Sequence, residues 1–194
     1  MSAFEVLRKY LEDRASYTDE ELALLRELFV PKSLRAGEFL QRSGEVARYG
    51  AFVASGCLRT YVIDDKGKEH IVGFAPENWW VADNTSMTSG TPSQYYMDAI
   101  EDSEVLLIDQ PSHERIIKSV PSYAFSLRKG VTKHAAAKDK RIVNSLSATA
   151  EERYLDFLKT YPSIAARIPQ WMLASYLGVS PETVSRIRKN LATR

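Results

Sequence analysis

Residues 168–189 of this chain read IPQWMLASYLGVSPETVSRIRK. Apolar residues at helical spacing predict two short helices, one before and one after Gly178. Gly178 lies where the chain must turn sharply, which is easiest in a left-handed backbone conformation. Ser180 is a favourable N-cap, and Pro181 suits the first position of the second helix because its missing N–H would have no partner there. Two helices joined by a short glycine-containing turn form a helix-turn-helix.

The second helix of this motif carries polar side chains suited to reading DNA bases. Glu182, Ser185 and Arg186 fall on the face opposite its apolar residues. Arg186 can pair with guanine O6 and N7, and Glu182 can accept a hydrogen bond from the amino group of cytosine. The alternative is an ordinary solvated surface, since Glu182 suits a first helical turn and can pair with Arg186 one turn later. The residues predicted to contact DNA phosphates are Gln170, Ser180, Thr183, Arg188 and Lys189.

Charge is distributed unevenly along the 194 residues. Residues 1–127 contain 13 Lys and Arg against 20 Asp and Glu, whereas residues 128–194 contain 13 against 5. A basic segment of this kind suits a polyanion, although a chance cluster on a solvated helix would give the same count. Taken with the motif, the charge favours double-stranded DNA as the partner.

Other classes of function find little support in the residues. The single cysteine, Cys57, excludes an intramolecular disulfide and a multi-cysteine metal cluster. No Ser/His/Asp order, phosphate-binding loop or metal-ligand spacing stands out, so we expect no catalytic residues, no metal and no enzyme activity. No apolar run approaches the roughly 18 residues that a membrane span needs. We therefore expect a cytoplasmic protein without membrane contact.

The central part of the chain, from Leu34 to about Asp109, has the pattern of a β-domain. Short apolar runs such as Leu58 to Ile63 are separated by turn residues about every ten positions, which predicts an antiparallel sandwich or barrel. Helical patterns flank this segment. Thr18 begins a capping box before it, and helix returns after Pro111.

A long helix with a narrow apolar stripe is predicted after a break near Pro121. Such a stripe is typical of a helix that pairs with a copy of itself, which predicts a homodimer. The alternative is a helix that lies on its own β-domain. The residues assigned to the dimer stripe are Leu127, Val131, Ala135 and Ile142.

The motif and the order of segments resemble the Crp/Fnr transcription regulators, relatives of the cyclic-AMP receptor protein. The residues that carry the resemblance are Leu173-Ala174, Leu177 to Ser180 and Glu182 to Arg186 in the helix-turn-helix, and Gly37-Glu38, Gly44-Glu45 and Ser55 to Arg59 in the β-segment. The resemblance implies an α+β chain. Its parts would be a cyclic-nucleotide-binding-like β-roll (a double-stranded β-helix) with flanking helices over residues 1–120, a dimerisation helix over 121–147, and an all-α, winged-helix-like DNA-binding domain over 148–194.

The same resemblance implies how such a protein works. It would bind an inverted-repeat DNA site as a homodimer and contact RNA polymerase, with Glu182, Ser185 and Arg186 at the base-reading positions. Pro181 departs from the pattern, because many members carry a base-reading arginine there. Losing that donor is expected to relax specificity at one base pair by about 1–3 kcal/mol.

The β-segment lacks the phosphate cassette by which members of this fold bind cyclic nucleotides. Between Trp79 and Met97 there is no Gly-Glu pair and no Arg or Lys, and burying a cyclic phosphate without a cation is costly. The sequence therefore predicts a regulator with a degenerate cassette and an unknown effector; the alternative is a protein that primarily senses cyclic AMP or cyclic GMP. Four aromatic residues either line an apolar effector pocket or fill the β-roll: Trp79, Trp80, Tyr95 and Tyr96.

Overall fold

The computed structural model describes the backbone of residues 1–193 and the side chains of residues 1–128 and 136–193. The helices are α1 (Ala3–Glu12), α2 (Asp19–Leu28), α3 (Asn84–Ser89), α4 (Gln110–Ser119), α5 (Pro121–Ser147), α6 (Ala150–Thr160), α7 (Gln170–Leu177) and α8 (Pro181–Ala192). The strands are β1 (Val30–Leu34), β2 (Phe39–Gln41), β3 (Tyr49–Ser55), β4 (Leu58–Ile63), β5 (Glu69–Ala75), β6 (Trp80–Val81), β7 (Tyr96–Ala99) and β8 (Ser103–Asp109).

The helix boundaries follow local signals in the sequence. Thr18 and Thr149 each form a capping box with the glutamate three residues later. The predicted break near Pro121 is confirmed, because α4 ends at Ser119 and α5 begins at Pro121. The connection is short because proline is well tolerated in a first helical turn and poorly tolerated further inside a helix.

The strands form two four-stranded antiparallel sheets, with the orders β1-β8-β3-β6 and β2-β7-β4-β5. In the first sheet β8 lies between β1 and β3, pairing Val30 with Leu107 and Phe52 with Leu106. Helices precede and follow these sheets, so the chain contains both α-helical and β-sheet structure. The predicted α+β fold with an antiparallel β-domain is confirmed.

The two faces of β3 contribute to two different cores. Ala51 and Val53 belong to the cluster that also contains Leu58, whereas Phe52 and Ala54 pack with residues of α1, α2, α4 and α5. This division follows from the two-residue period of a strand, which points successive side chains to opposite faces. Because both faces are buried, β3 is an almost continuous apolar run.

By their internal contacts the residues divide into two compact units. The first comprises Met1–Thr60 and Phe74–Thr132, and the second comprises Tyr61–Gly73 and Lys133–Arg194. The core of the second unit is formed by Tyr154, Phe157, Ile164, Leu173, Leu177, Val184 and Ile187. None of the helices in the described part of the chain is long and apolar enough to cross a membrane.

The residues of the predicted dimer stripe on α5 do not all have the same surroundings. Leu127 is half-buried and packs against the core of the first unit, as the alternative interpretation expected. Ile142 is 62% exposed, and the adjacent Val143 and Leu146 are 59% and 85% exposed. The side chains of Val131 and Ala135 lie outside the described residues. Among the described side chains of α5, the largest apolar exposure therefore lies in its last turns.

Candidate nucleic-acid interface

The two helices α7 and α8 are joined by a tight turn centred on Gly178. Gly178 has φ 68° and ψ 37°, and its N–H donates to the carbonyl groups of Ala174 and Ser175. This left-handed C-cap ends α7 and reverses the chain at a position where a side chain would be strained. The predicted helix-turn-helix geometry is confirmed.

The N-terminal end of α8 is fixed by its cap. The Ser180 hydroxyl accepts a hydrogen bond of 3.3 Å from the Thr183 N–H, and Pro181 occupies the first turn. Val184 and Ile187, at 0% and 6% exposure, attach the other side of the helix to the core. The rotation of α8 about its own axis is therefore set by apolar packing.

The three predicted base-reading residues lie together on the exposed side of α8. Glu182, Ser185 and Arg186 are all exposed, and their spacing places them on neighbouring turns of one face. We call these three side chains the reading face. The hydrogen bond from the Ser180 hydroxyl, followed by one from the backbone, lowers the pKa of Glu182, so this carboxylate stays an acceptor at neutral pH. The reading face thus offers donors and an ionised acceptor to a partner.

Gln170 connects the two helices. Its Nε2 atom donates to the Pro181 carbonyl at 2.6 Å and to the Ser185 hydroxyl at 2.7 Å. The sequence interpretation assigned Gln170 to DNA phosphates, but in the structure its amide orients the start of α8 and one member of the reading face.

Arg188 also points away from the position that sequence reasoning gave it. Its Nε donates to the Tyr154 hydroxyl at 3.2 Å, and Nη2 lies 3.4 Å from the Ala165 carbonyl. This half-buried side chain therefore links α8 to α6. Of the other predicted phosphate ligands, Lys189 and Ser180 are exposed, and Thr183 is half-buried beside Ser180.

Sequence reasoning missed two residues that hold α7 in the second unit. The Arg141 guanidinium donates to the carbonyls of Val72, Ile71 and Tyr176, and it stacks on the Tyr176 ring at 4.0 Å. The Ser175 hydroxyl accepts from the Ile71 N–H at 3.0 Å. Burial lowers the pKa of Arg141, which has neutral acceptors at these contacts. A serine inside an otherwise apolar helix was the available signal.

The four aromatic residues of the predicted effector pocket do not form one cluster. Trp79 and Tyr95 pack against the β-roll core, whereas Trp80 packs on the other side against the helices. Tyr96 forms an edge contact with Phe39, with ring centroids 6.2 Å apart. Trp79 precedes β6 and Trp80 begins it, and the two side chains contribute to different clusters. The described contacts thus assign Trp80 to a different cluster from Trp79 and Tyr95, and the effector pocket stays a prediction.

The buried cation of the β-roll already has an anionic partner. Arg59, 8% exposed, forms a two-pronged ion pair with Asp98, with N–O distances of 2.7 and 2.9 Å. A guanidinium neutralised in this way is a poor partner for a phosphate. Asp83 caps α3 and accepts a hydrogen bond from the Ser93 hydroxyl at 2.7 Å, so residues 79–97 contribute a carboxylate and no Arg or Lys.

Comparison with known proteins identifies a matching domain family and similar transcriptional activators. Residues 31–120 match the cyclic nucleotide-binding domain family. The chain is 28% identical over 190 residues to the transcriptional activator protein Anr of Pseudomonas aeruginosa, covering 89% of this chain and 75% of that protein. It is 26% identical over 170 residues to the transcriptional activator protein FnrA of Stutzerimonas stutzeri, covering 80% and 68%. The chain is a homologue of the Crp/Fnr transcription regulators.

Solved Crp/Fnr structures share its fold. FixK2 from Bradyrhizobium japonicum superimposes with a TM-score of 0.71 at 24% identity, covering 85% of each chain. The c-di-GMP-responsive regulator CLP from Xanthomonas campestris gives 0.71 at 13% identity, covering 91% of this chain and 92% of that one. The likeness persists where few residues are shared, because apolar periodicity and turn positions define this architecture more strongly than residue identity.

Proposed function

We propose that this protein is a homodimeric transcription regulator that inserts α8 into the major groove of double-stranded DNA. The observation that carries the proposal is the reading face, with Glu182, Ser185 and Arg186 exposed together on a helix whose other side is buried. A recognition helix must present such a face while the motif's first helix supports it.

The reading face assigns a role to each side chain. Arg186 donates to guanine O6 and N7, Glu182 accepts from a cytosine amino group, and Ser185 contacts either a base or the Gln170 amide. Lys189 and the α8 N-terminus near Ser180 and Thr183 bind phosphates, since N-terminal backbone N–H groups attract anions. Arg188 and Gln170 support this arrangement from within the domain.

The exposed apolar end of α5 supports assembly of two copies. In a dimer, two reading faces would meet half-sites of an inverted repeat about 34 Å apart, one turn of DNA. We assign residues 1–120 to sensing, 121–147 to dimerisation and 148–194 to DNA binding. The protein would act in the cytoplasm, together with RNA polymerase.

The effector we propose is not a cyclic nucleotide. Residues 79–97 contain no Arg or Lys, and Arg59 is paired with Asp98. Because Trp79 and Tyr95 pack against the β-roll core, we propose an apolar effector for this part of the molecule.

The proposal is tested by binding purified protein to fragments of its own genome. We expect a subset of fragments to bind specifically, and Arg186→Ala to reduce that preference while leaving nonspecific, salt-sensitive binding in place. Arg35→Ala, on an exposed loop of the β-domain, is the matched control. Equal affinity and equal preference in the Arg186→Ala protein would contradict the proposal.

A further inference from the structure

A cleft of about 130 Å³ lies in the second unit, between the end of α5, the middle of α6 and the end of α7. Arg141, Ser145 and Arg153 contribute to its polar side, and Phe157 and Leu177 to its apolar side. None of these residues belongs to the reading face or to the β-roll.

Arg153 is the residue of this cleft that has an unsatisfied hydrogen-bond donor. Its Nε atom is buried and has no hydrogen-bond partner among the described residues. Burying a charged donor without an acceptor is unfavourable, so such a group signals a partner that completes it. The Nε edge of a guanidinium, together with one terminal N–H, matches the two oxygens of a carboxylate or the oxygens of a phosphate.

The other charged groups leave the cleft positive. Its carboxylate, Asp156, already accepts hydrogen bonds from Lys140 and, at 3.1 Å, from Asn144. Arg141 donates to three backbone carbonyls, which do not neutralise it. With two guanidinium groups and one compensated carboxylate, the cleft favours an anion.

The size and the apolar side of the cleft restrict that anion. A closed cavity of roughly 150 Å³ holds a molecule the size of benzene. This cleft of about 130 Å³ is partly open to solvent, so a small apolar body can occupy it while an attached carboxylate extends past its edge. Phe157, Tyr176 and Leu177 offer an apolar surface. We propose that the cleft binds a small organic carboxylate with an aromatic or branched apolar body, whose carboxylate pairs with Arg153. A cyclic nucleotide is too large for it.

The position of the cleft gives this ligand a means of regulation. Its wall includes Ser175 and Gly178, so the ligand would contact the end of α7 and the turn that leads into α8. A ligand that binds one position of α7 more tightly shifts the population toward that position. This regulatory consequence rests on the proposed DNA-binding function, whereas the binding site does not.

The test is titration calorimetry on the purified full chain without DNA, using benzoate, its neutral analogue benzamide and inorganic phosphate as probes. We expect benzoate to bind at least about tenfold more tightly than benzamide, as a charge-assisted pair implies. Arg153→Met should weaken benzoate binding at least about tenfold, and Arg35→Met should leave it unchanged. Ser145→Trp, which fills the cleft from an exposed position, should also abolish binding while Arg153 stays in place.

Three results would overturn the proposal. They are absence of benzoate binding to the folded wild-type chain, equal affinity for benzoate and benzamide, and phosphate binding without benzoate binding. Benzoate binding that survives both Arg153→Met and Ser145→Trp would place the ligand elsewhere and overturn it too. Because no DNA is present, failure here is distinct from failure of the proposed DNA-binding function.

Discussion

The amide of Gln170 illustrates how a single side chain prepares the reading face. By donating to both the Pro181 carbonyl and the Ser185 hydroxyl, it fixes the first turn of α8 relative to the start of α7. A base-reading helix depends on such support, because its side chains must meet the bases in one orientation.

Gln170→Ala is expected to lower the free energy of unfolding by about 1 kcal/mol, through loss of two partly exposed hydrogen bonds. Affinity for specific DNA should fall with it, because α8 loses its orientation. Urea unfolding and DNA titration measure the two effects. Gln110→Ala, which removes one exposed bond to Glu114 on α4, is the control and should leave DNA binding unchanged. Lost DNA affinity with full stability would instead support the direct phosphate contact predicted from sequence.

Residue identity predicted the reading face but not the direction of every long side chain. Glu182, Ser185 and Arg186 follow from helical periodicity together with the apolar face of α8. Arg188 does not, because its direction depends on Tyr154 of α6, 34 residues away. The Arg59–Asp98 pair is equally invisible to sequence spacing, since its members are 39 residues apart.

The helix α5 exposes large apolar side chains to solvent. Its last turns expose Ile142, Val143 and Leu146, a larger apolar exposure than a helix face usually leaves to water. Periodicity predicted a stripe along the whole helix. The packing of Leu127 on its own core was not predictable, because an apolar stripe does not reveal which surface it covers.

Leu146→Glu is expected to weaken the proposed dimer at least about tenfold, because it would place a charge in the proposed apolar interface. Sedimentation velocity over a concentration series measures the change. Ile117→Glu, an equivalent substitution at a 39% exposed apolar residue of α4, is the control and should not alter the dimer. A protein that is monomeric before substitution would refute the assignment of this face.

For the whole molecule, the β-roll keeps the family's architecture without the usual phosphate partner. The pattern of short strands and glycine turns predicted the architecture from sequence. It could not predict that Trp79 and Trp80 would contribute to different clusters, because the sheets bring together residues distant in sequence.

Cyclic AMP and cyclic GMP are expected to give no binding heat at millimolar concentration, because residues 79–97, which correspond by resemblance to the phosphate cassette, contain Asp83 and no Arg or Lys. Calorimetry on the full chain provides this measurement. Micromolar binding of either nucleotide would contradict this prediction and favour the alternative hypothesis, in which the protein primarily senses cyclic nucleotides.

The most direct test of the central claim is selection of binding sites from a random pool of double-stranded DNA. The wild-type protein should enrich an inverted repeat whose half-sites lie about one helical turn apart and contain a guanine that is no longer selected by Arg186→Ala. Enrichment of the same sequence by both proteins, or of no sequence by the wild type, would contradict the account.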